Sequence, residues 1–174
     1  MAGALDGITI VDFSRVLAGP YATMLLADFG ATVIKVERPG SGDETRAWNP
    51  PVDAEGMATY FAAVNRNKRS VVRDLSDEDE RQSILELVRT ADVVVENFRD
   101  GAMDRLGLGY DRLSELNPRL IYCSITGFGT AAGAAGAAAA AASTAGATAS
   151  WAKAAVAARP ARAAAERRIL PKRI

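Results

Sequence analysis

The stretch "ITIVDFSRVLAGPYATMLLADFGATVIKVE" constrains the fold more than any other part of the chain. Ile8–Phe13 is a short apolar run with β-branched residues, a Gly-Pro break follows, and "YATMLLADFG" then carries apolar positions at helical spacing as far as Gly30. Ala31–Glu37 resumes strand character at once. A strand, helix and strand this tightly connected form a β-α-β unit, in which the strands run parallel and the crossover is right-handed.

The alternation continues downstream. Arg38 to Thr59 is rich in Pro, Gly, Asp and Trp without either period, and reads as a long ordered loop of the kind that covers a binding cleft. "MATYFAAVN" predicts a short helix and "RSVVRDL" a strand. "SDEDERQSILELVRT" predicts a helix opened by Ser76 with acids in its first turn, and "ADVVVEN" a strand whose unbroken valines imply burial on both faces. "DGAMDRLGLGYDRLSELNP" predicts turns and one short helix with Tyr110, Leu113 and Leu116 on one face. "RLIYCSITGF" is the last strand, and its Cys123 is expected to be buried. The expected class is α/β: a partial open, mostly parallel, Rossmann-like sheet that binds ligands at the carboxyl ends of its strands.

Composition then divides the chain at Thr130. Residues 1–130 hold 14 Lys+Arg against 20 Asp+Glu, whereas the last 44 hold 7 basic residues and one acid, Glu166. Half of those 44 residues are alanine and none is aspartate, so 131–174 reads as a low-complexity Ala-rich tail. A formal net charge of zero is the sum of two opposite halves.

Several function classes drop out. The chain contains no histidine, which removes Ser-His-Asp triads, imidazole proton shuttles and most zinc sites, and no metal site is expected. One cysteine provides no disulfide framework. No signal-peptide pattern opens the sequence, and polar residues interrupt the alanine run, so a cytoplasmic protein without a membrane partner is expected. The acidic first 130 residues, without interleaved aromatic and basic positions, argue against nucleic acid.

Candidate binding residues cluster where strands end. "SRVLAGP" leads from the first strand into a helix, and its small residues Ala18 and Gly19 let a ligand approach backbone N–H groups; a plain turn is the alternative. Arg38 follows the second strand, with Asp43, Glu44 and Arg46 beyond it. Its planar fork suits a phosphate, against a solvated loop of surface ion pairs. "NRNKRS" gathers cations at a strand entry, and Asn97, Arg99 and Arg105 follow the third valine-rich strand. Cations placed this way fit a small phosphorylated ligand.

Taken in order, "LDGITIVDFSRVLAGPYATMLLADFGATVIKVERPGSGDETR", "NRNKRSV", "ADVVVENFRDGAMDRLGLGY" and "NPRLIYCSITGFG" closely resemble the amino-terminal part of class III coenzyme A transferases of the CaiB/BaiF type, over Leu5 to Gly129. The resemblance implies that residues 1–130 are the first part of the family's large domain. It also implies that coenzyme A or an acyl-CoA is a substrate, with no permanently bound cofactor, and that a small carboxylate is the acceptor. Matched onto this chain, the family's CoA site comprises Leu17, Ala18, Arg38, the strand exit Arg73, Asp74, Leu75 and Ser76 on the adenine side, then Asn97, Phe98, Arg99 and Arg105. The sequence departs from the family at Arg73, where an apolar residue is usual. Full-length members form interlocked homodimers.

In that family an aspartate about forty residues beyond the "GFG" match attacks the acyl-CoA, forming first an anhydride and then an aspartyl thioester. That distance falls near Ile169, Leu170 and Pro171, and no aspartate follows Thr130. The expectations are that the tail arises from a shifted reading frame, that Ala137–Ala158 is partly helical by propensity, and that the chain is an inactive relative of the transferases. An acyl-CoA racemase of the same superfamily, which uses histidine with an acid, and a non-catalytic CoA-binding fragment are the alternatives.

Overall fold

The computed structural model describes residues 3–127 and the backbone of residues 172–173; the expectations for the Ala-rich tail lie outside these residues. Five strands, β1 (Thr9–Asp12), β2 (Thr32–Glu37), β3 (Lys68–Val72), β4 (Val93–Glu96) and β5 (Ile121–Ser124), form one parallel sheet in the order β5-β4-β1-β2-β3. A two-residue antiparallel strand, β6 (Lys172–Arg173), pairs with Arg69 and Ser70 beside β3. The expected open parallel sheet is present.

The first three crossovers are made by α1 (Ala18–Asp28), α2 (Thr59–Asn65) and α3 (Glu78–Thr90). The chain steps outward from β1 to β2 to β3 and then returns across the sheet to β4. With right-handed crossovers this puts α1 and α2 on one face and α3 on the other; accordingly α1 packs on α2, and α3 on α5 (Tyr110–Leu116). Reversal of direction at β1 opens a crevice between the carboxyl ends of β1 and β4, where such sheets bind ligands. Among the described residues no helix is long and apolar enough to cross a membrane.

Local chemistry sets the boundaries. Helix α3 is capped by Asp77, whose side chain accepts from the Glu80 N–H at 2.9 Å; the expected cap, Ser76, instead donates to Asp74. Two helices rather than one fill the segment before β5, because α4 (Ala102–Arg105) ends at Gly107, φ 66°. Leu113 of α5 is fully buried, but Tyr110 faces outward against the Tyr122 ring. Cys123 is exposed, against expectation, because β5 is the outermost strand of the described sheet.

The face under α1 is built in two layers. Nearer the amino ends Ile10 and Val33 pack with Ala27 and Ala31, a hydrophobic cluster that reaches up to Val95, level with Asp12, and is extended by Leu5, Ile8, Leu26 and Val93. Side chains two apart on a strand share a face, so Asp12 follows Ile10, while Lys35 and Glu37 follow Val33. Register sets Asp12 beside Lys35 and Lys35 beside Ser70. The upper layer is therefore charged, and it is closed to water: Asp12, Lys35, Asp43 and Lys68 are each no more than 1% exposed.

Every charge there is partnered. Lys68 Nζ donates to Asp12 (3.1 Å), the Asn65 side-chain oxygen (2.9 Å) and the Pro20 carbonyl (2.8 Å). Lys35 Nζ donates to the Ser14 carbonyl (2.7 Å) and pairs with Asp43 at 2.9 Å. Thr23 of α1 and Ser14 both donate to the Asp12 carboxylate. The "NRNKRS" cations thus do not act together: Lys68 is consumed in the core, Arg66 pairs with Asp28 at 2.6 Å at the far end of α1, and Arg69 is exposed.

Two expected outcomes follow from this buried layer. Burial raises the Asp12 carboxyl, but attraction from Lys68 and Lys35 with the Ser14 and Thr23 hydrogen bonds outweighs it and holds the group below the ordinary 3.8. Asp43, opposed by burial but drawn down by Lys35, and Glu37, opposed by burial but bonded by Arg46 and Ser70, are depressed likewise. A depressed carboxylate stabilises the fold above its unfolded value and loses that contribution as pH falls through the folded one. Thermal unfolding followed by circular dichroism is therefore expected to show a midpoint that drops steeply below about pH 4, and a flat profile from pH 6 to 2 would contradict it. Asp12→Asn leaves Lys68 and Lys35 buried with one anion between them, at an expected loss of about 3–5 kcal/mol in urea unfolding.

Candidate functional site

The rim at the carboxyl ends of the strands is assembled from the β1 exit (Phe13–Leu17), the β2 exit (Arg38–Trp48), the β3 exit (Arg73–Ser76) and the β4 exit (Asn97–Gly101). Asp43 anchors the second of these. Its carboxylate pairs with Lys35, accepts from the Thr45 N–H and hydroxyl (3.0 and 2.8 Å) and caps the 3-10 turn Glu44–Ala47. It also receives the Val16 N–H at 3.3 and 3.4 Å, joining the β1 exit to the β2 exit. The loop from Arg38 is therefore anchored at its centre, where Asp43 and Thr45 are buried, while Arg38–Ser41 and Ala47–Trp48 on either side are exposed.

Arg46 belongs to this scaffold. Its guanidinium grips Glu37 through two bonds, 2.7 and 2.8 Å, and lies 3.7 Å from the centre of the Phe61 ring. Glu37 also accepts from the Asp43 N–H (3.0 Å) and from Ser70. At Gly42, φ 60°, a Cβ would stand 2.6 Å from Glu37 Oε2, so only glycine lets this turn close.

The crevice between β1 and β4 is held by Asn97. Its Nδ2 donates to the Arg15 carbonyl at 2.7 Å and its Oδ1 accepts the Arg15 N–H at 2.8 Å. The next residue, Val16, sits at φ 70°, a left-handed conformation that a β-branched residue adopts only under constraint. The turn feeds directly into α1, whose N-cap is Leu17 and whose first turn has neither a side-chain cap nor an acid. Leu17 and Ala18 are exposed, while Gly19 is buried against Ser14, whose Cβ would lie 2.2 Å from any Cβ placed there.

The Arg15 side chain, which the sequence reading did not single out, lies over the Phe98 ring at 4.5 Å and pairs with Glu44 at 2.8 Å. Arg38, half exposed, reaches the same Glu44 oxygen at 3.2 Å. One carboxylate oxygen thus bridges two guanidinium groups contributed by the β1 and β2 exits. The other, Glu44 Oε2, is buried and accepts no hydrogen bond.

The remaining residues matched to the CoA site occupy two places. Arg73 continues β3, its N–H donating to the Glu37 carbonyl at 2.8 Å, its Nε to Ser83 at 2.9 Å and its Nη1 to the Val72 carbonyl at 2.7 Å. Asp74 accepts from the Ser76 N–H and hydroxyl, and the Leu75 carbonyl accepts from Arg81. Pro39, Val72, Arg73, Asp79, Glu80 and Ser83 line a shallow open depression of about 580 Å³ beside Arg38. On the other side of the crevice Phe98 donates its N–H to Glu96 (2.7 Å), and Arg99 and Arg105 are exposed, the latter with its guanidinium near Gly101. Leu17, Ala18, Arg38, Arg73–Ser76, Asn97, Phe98 and Arg99 all lie on this one rim; Arg105, in α4, flanks it.

Comparison with known proteins gives this arrangement a lineage. The family model described as CoA-transferase family III matches residues 5–165. The chain is 52% identical over 126 residues to the human succinyl-CoA:glutarate CoA-transferase, a match covering 72% of this chain and 28% of that protein. It is 51% identical over 127 residues to the acetyl-CoA:oxalate CoA-transferase of Acetobacter aceti, covering 73% and 32% respectively. The crystal structure of a CAIB/BAIF family protein from Brucella suis superposes with a TM-score of 0.71 at 52% identity, covering 74% of this chain and 35% of that one. The chain spans about a third of the length of these relatives. It belongs to the class III CoA-transferase family.

Proposed function

We propose that residues 5–129 form the CoA-binding part of a transferase that moves coenzyme A from an acyl-CoA thioester to a small carboxylate. The observation that carries this reading is the convergence, on one rim of a sheet with its crevice at β1 and β4, of Arg38, the uncapped N-terminus of α1 and the depression beside Arg73. In this reading the adenosine lies along Arg73–Ser76 and the phosphates face Arg38. The thioester arm runs over Leu17 and Ala18 toward the crevice, where Arg99 and Arg105 add positive charge. A planar guanidinium and unpaired helix N–H groups both favour phosphate oxygens.

Asn97 acts through what it holds. Both polar ends of its amide are spent on Arg15, so its part in binding is to fix the β1 exit at the crevice.

The reaction itself needs a nucleophile that the chain does not supply. No aspartate follows Thr130, and Glu166, the one acid in 131–174, lies in unmatched sequence. Covalent catalysis depends on a nucleophile placed within a fraction of an ångström. The family model extends to residue 165, but no aspartate stands anywhere in its match beyond Thr130; we therefore read the 174-residue chain as a CoA-binding relative without transferase activity.

Calorimetric titration of CoA against wild type and Arg38→Ala tests the binding site. Loss of charge-assisted hydrogen bonds worth about 1.5–3 kcal/mol predicts at least a tenfold weaker complex; equal affinities would remove Arg38 from the site. Mixed with succinyl-CoA or acetyl-CoA and a panel of dicarboxylates, the same chain is expected to form no new acyl-CoA by chromatography. Turnover at an ordinary enzymatic rate would overturn the inactive reading.

A further inference from the structure

We infer that the Glu44 carboxylate stands in the place of a phosphate oxygen between Arg15 and Arg38, so that Arg15 is a second phosphate-binding cation unmasked when Glu44 swings away. The inference rests on the CoA-binding reading of the rim and extends it to two residues outside the set matched to the family.

The geometry separates the two arginines from the carboxylate that joins them. A single atom, Glu44 Oε1, lies 2.8 Å from one guanidinium and 3.2 Å from the other. An anionic oxygen of a diphosphate placed there makes the same pair of contacts. Arg15 does not depend on Glu44 for its position, since its backbone is clamped by Asn97 on both sides of the peptide and its guanidinium rests on the Phe98 ring. The Glu44 backbone is equally independent, being fixed by the 3-10 turn that Asp43 caps. What is free to move is the Glu44 side chain, about a third exposed, and it is poorly satisfied where it stands, with Oε2 buried and unpaired.

Charge gives the direction of the effect. Arg15, Arg38 and Glu44 sum to one positive charge; with Glu44 displaced or neutralised the pair presents two. A carboxylate that merely held the arginines in place would have the opposite signature, because removing it would loosen both and weaken binding.

Titration of CoA, and separately of inorganic pyrophosphate, against wild type, Glu44→Gln, Arg15→Ala and Arg38→Ala tests this at two salt concentrations. Glu44→Gln is expected to bind both probes about two- to fivefold tighter, with a steeper loss of affinity on adding salt. Arg15→Ala is expected to bind about tenfold more weakly, and in the Arg15→Ala/Glu44→Gln double variant the gain from Glu44→Gln shrinks. Weaker binding by Glu44→Gln at an unchanged unfolding midpoint, or wild-type affinity in Arg15→Ala, overturns the inference, while loss of binding in Arg38→Ala leaves the CoA-binding reading standing. If Glu44→Gln lowers the unfolding midpoint, Glu44→Asp, which draws the carboxylate back from the arginines, takes its place with the same expected sign. Failure of wild type and both Glu44 variants to bind either probe removes the reading and the inference together.

Discussion

Two buried ion pairs, Asp12 with Lys68 and Lys35 with Asp43, connect everything else in this structure. They lie where an apolar sheet gives way to a polar rim: Asp12 with Lys68 ties strand to strand and helix, and Lys35 with Asp43 ties a strand to a rim loop. Lys68 draws β3, α2 and the first turn of α1 toward Asp12, while Lys35 fastens the β2 exit to the β1 exit through Asp43 and the Ser14 carbonyl. Buried ion pairs of this kind seldom add stability over well-packed hydrophobic residues. Their contribution here is positional: remove one partner and a rim loop loses its registration with the sheet.

The rim inherits its order from that layer. Asp43 caps the turn that carries Glu44, and Val16, held at φ 70°, is bonded to the same carboxylate. Strain at Val16 and the unpaired oxygen of Glu44 are neighbouring departures from ideal local structure in a region otherwise well satisfied. Such departures persist where the surroundings over-determine them, and they gather where ligands bind.

The sheet was legible because its signals are local and redundant. Apolar runs such as "ITIVDF" and "ADVVVEN", each followed by a helical period, fix the strand-helix order whatever lies around them. Which face each crossover helix covers follows from handedness once the strand order is known. Charged residues were harder to place. Lys68 sits among Arg66, Asn67 and Arg69 and reads as part of a basic surface, yet the parity it shares with Ser70 and its register opposite Val33 put it inside. Lys35, flanked by valine and isoleucine in "VIKVE", carried the available clue, a charge at an interior position of a buried strand. Arg15 could not be separated from any other loop arginine by sequence, because its role depends on Phe98 and Glu44, 83 and 29 positions away. Family resemblance named the candidate residues, and the geometry shows which of them are spent on one another.

One consequence of the buried layer concerns lysine chemistry. Lys35 and Lys68 are the two lysines among residues 3–127, and both are enclosed. An amine-directed label that decorates the surface of most proteins finds no ε-amino group to attack in this region while the sheet is closed. Modification at Lys35 or Lys68, read by mass spectrometry against the arginine-rich background, becomes a clock for the opening of the charged layer. The folded state is, in effect, a protecting group for its own two amines.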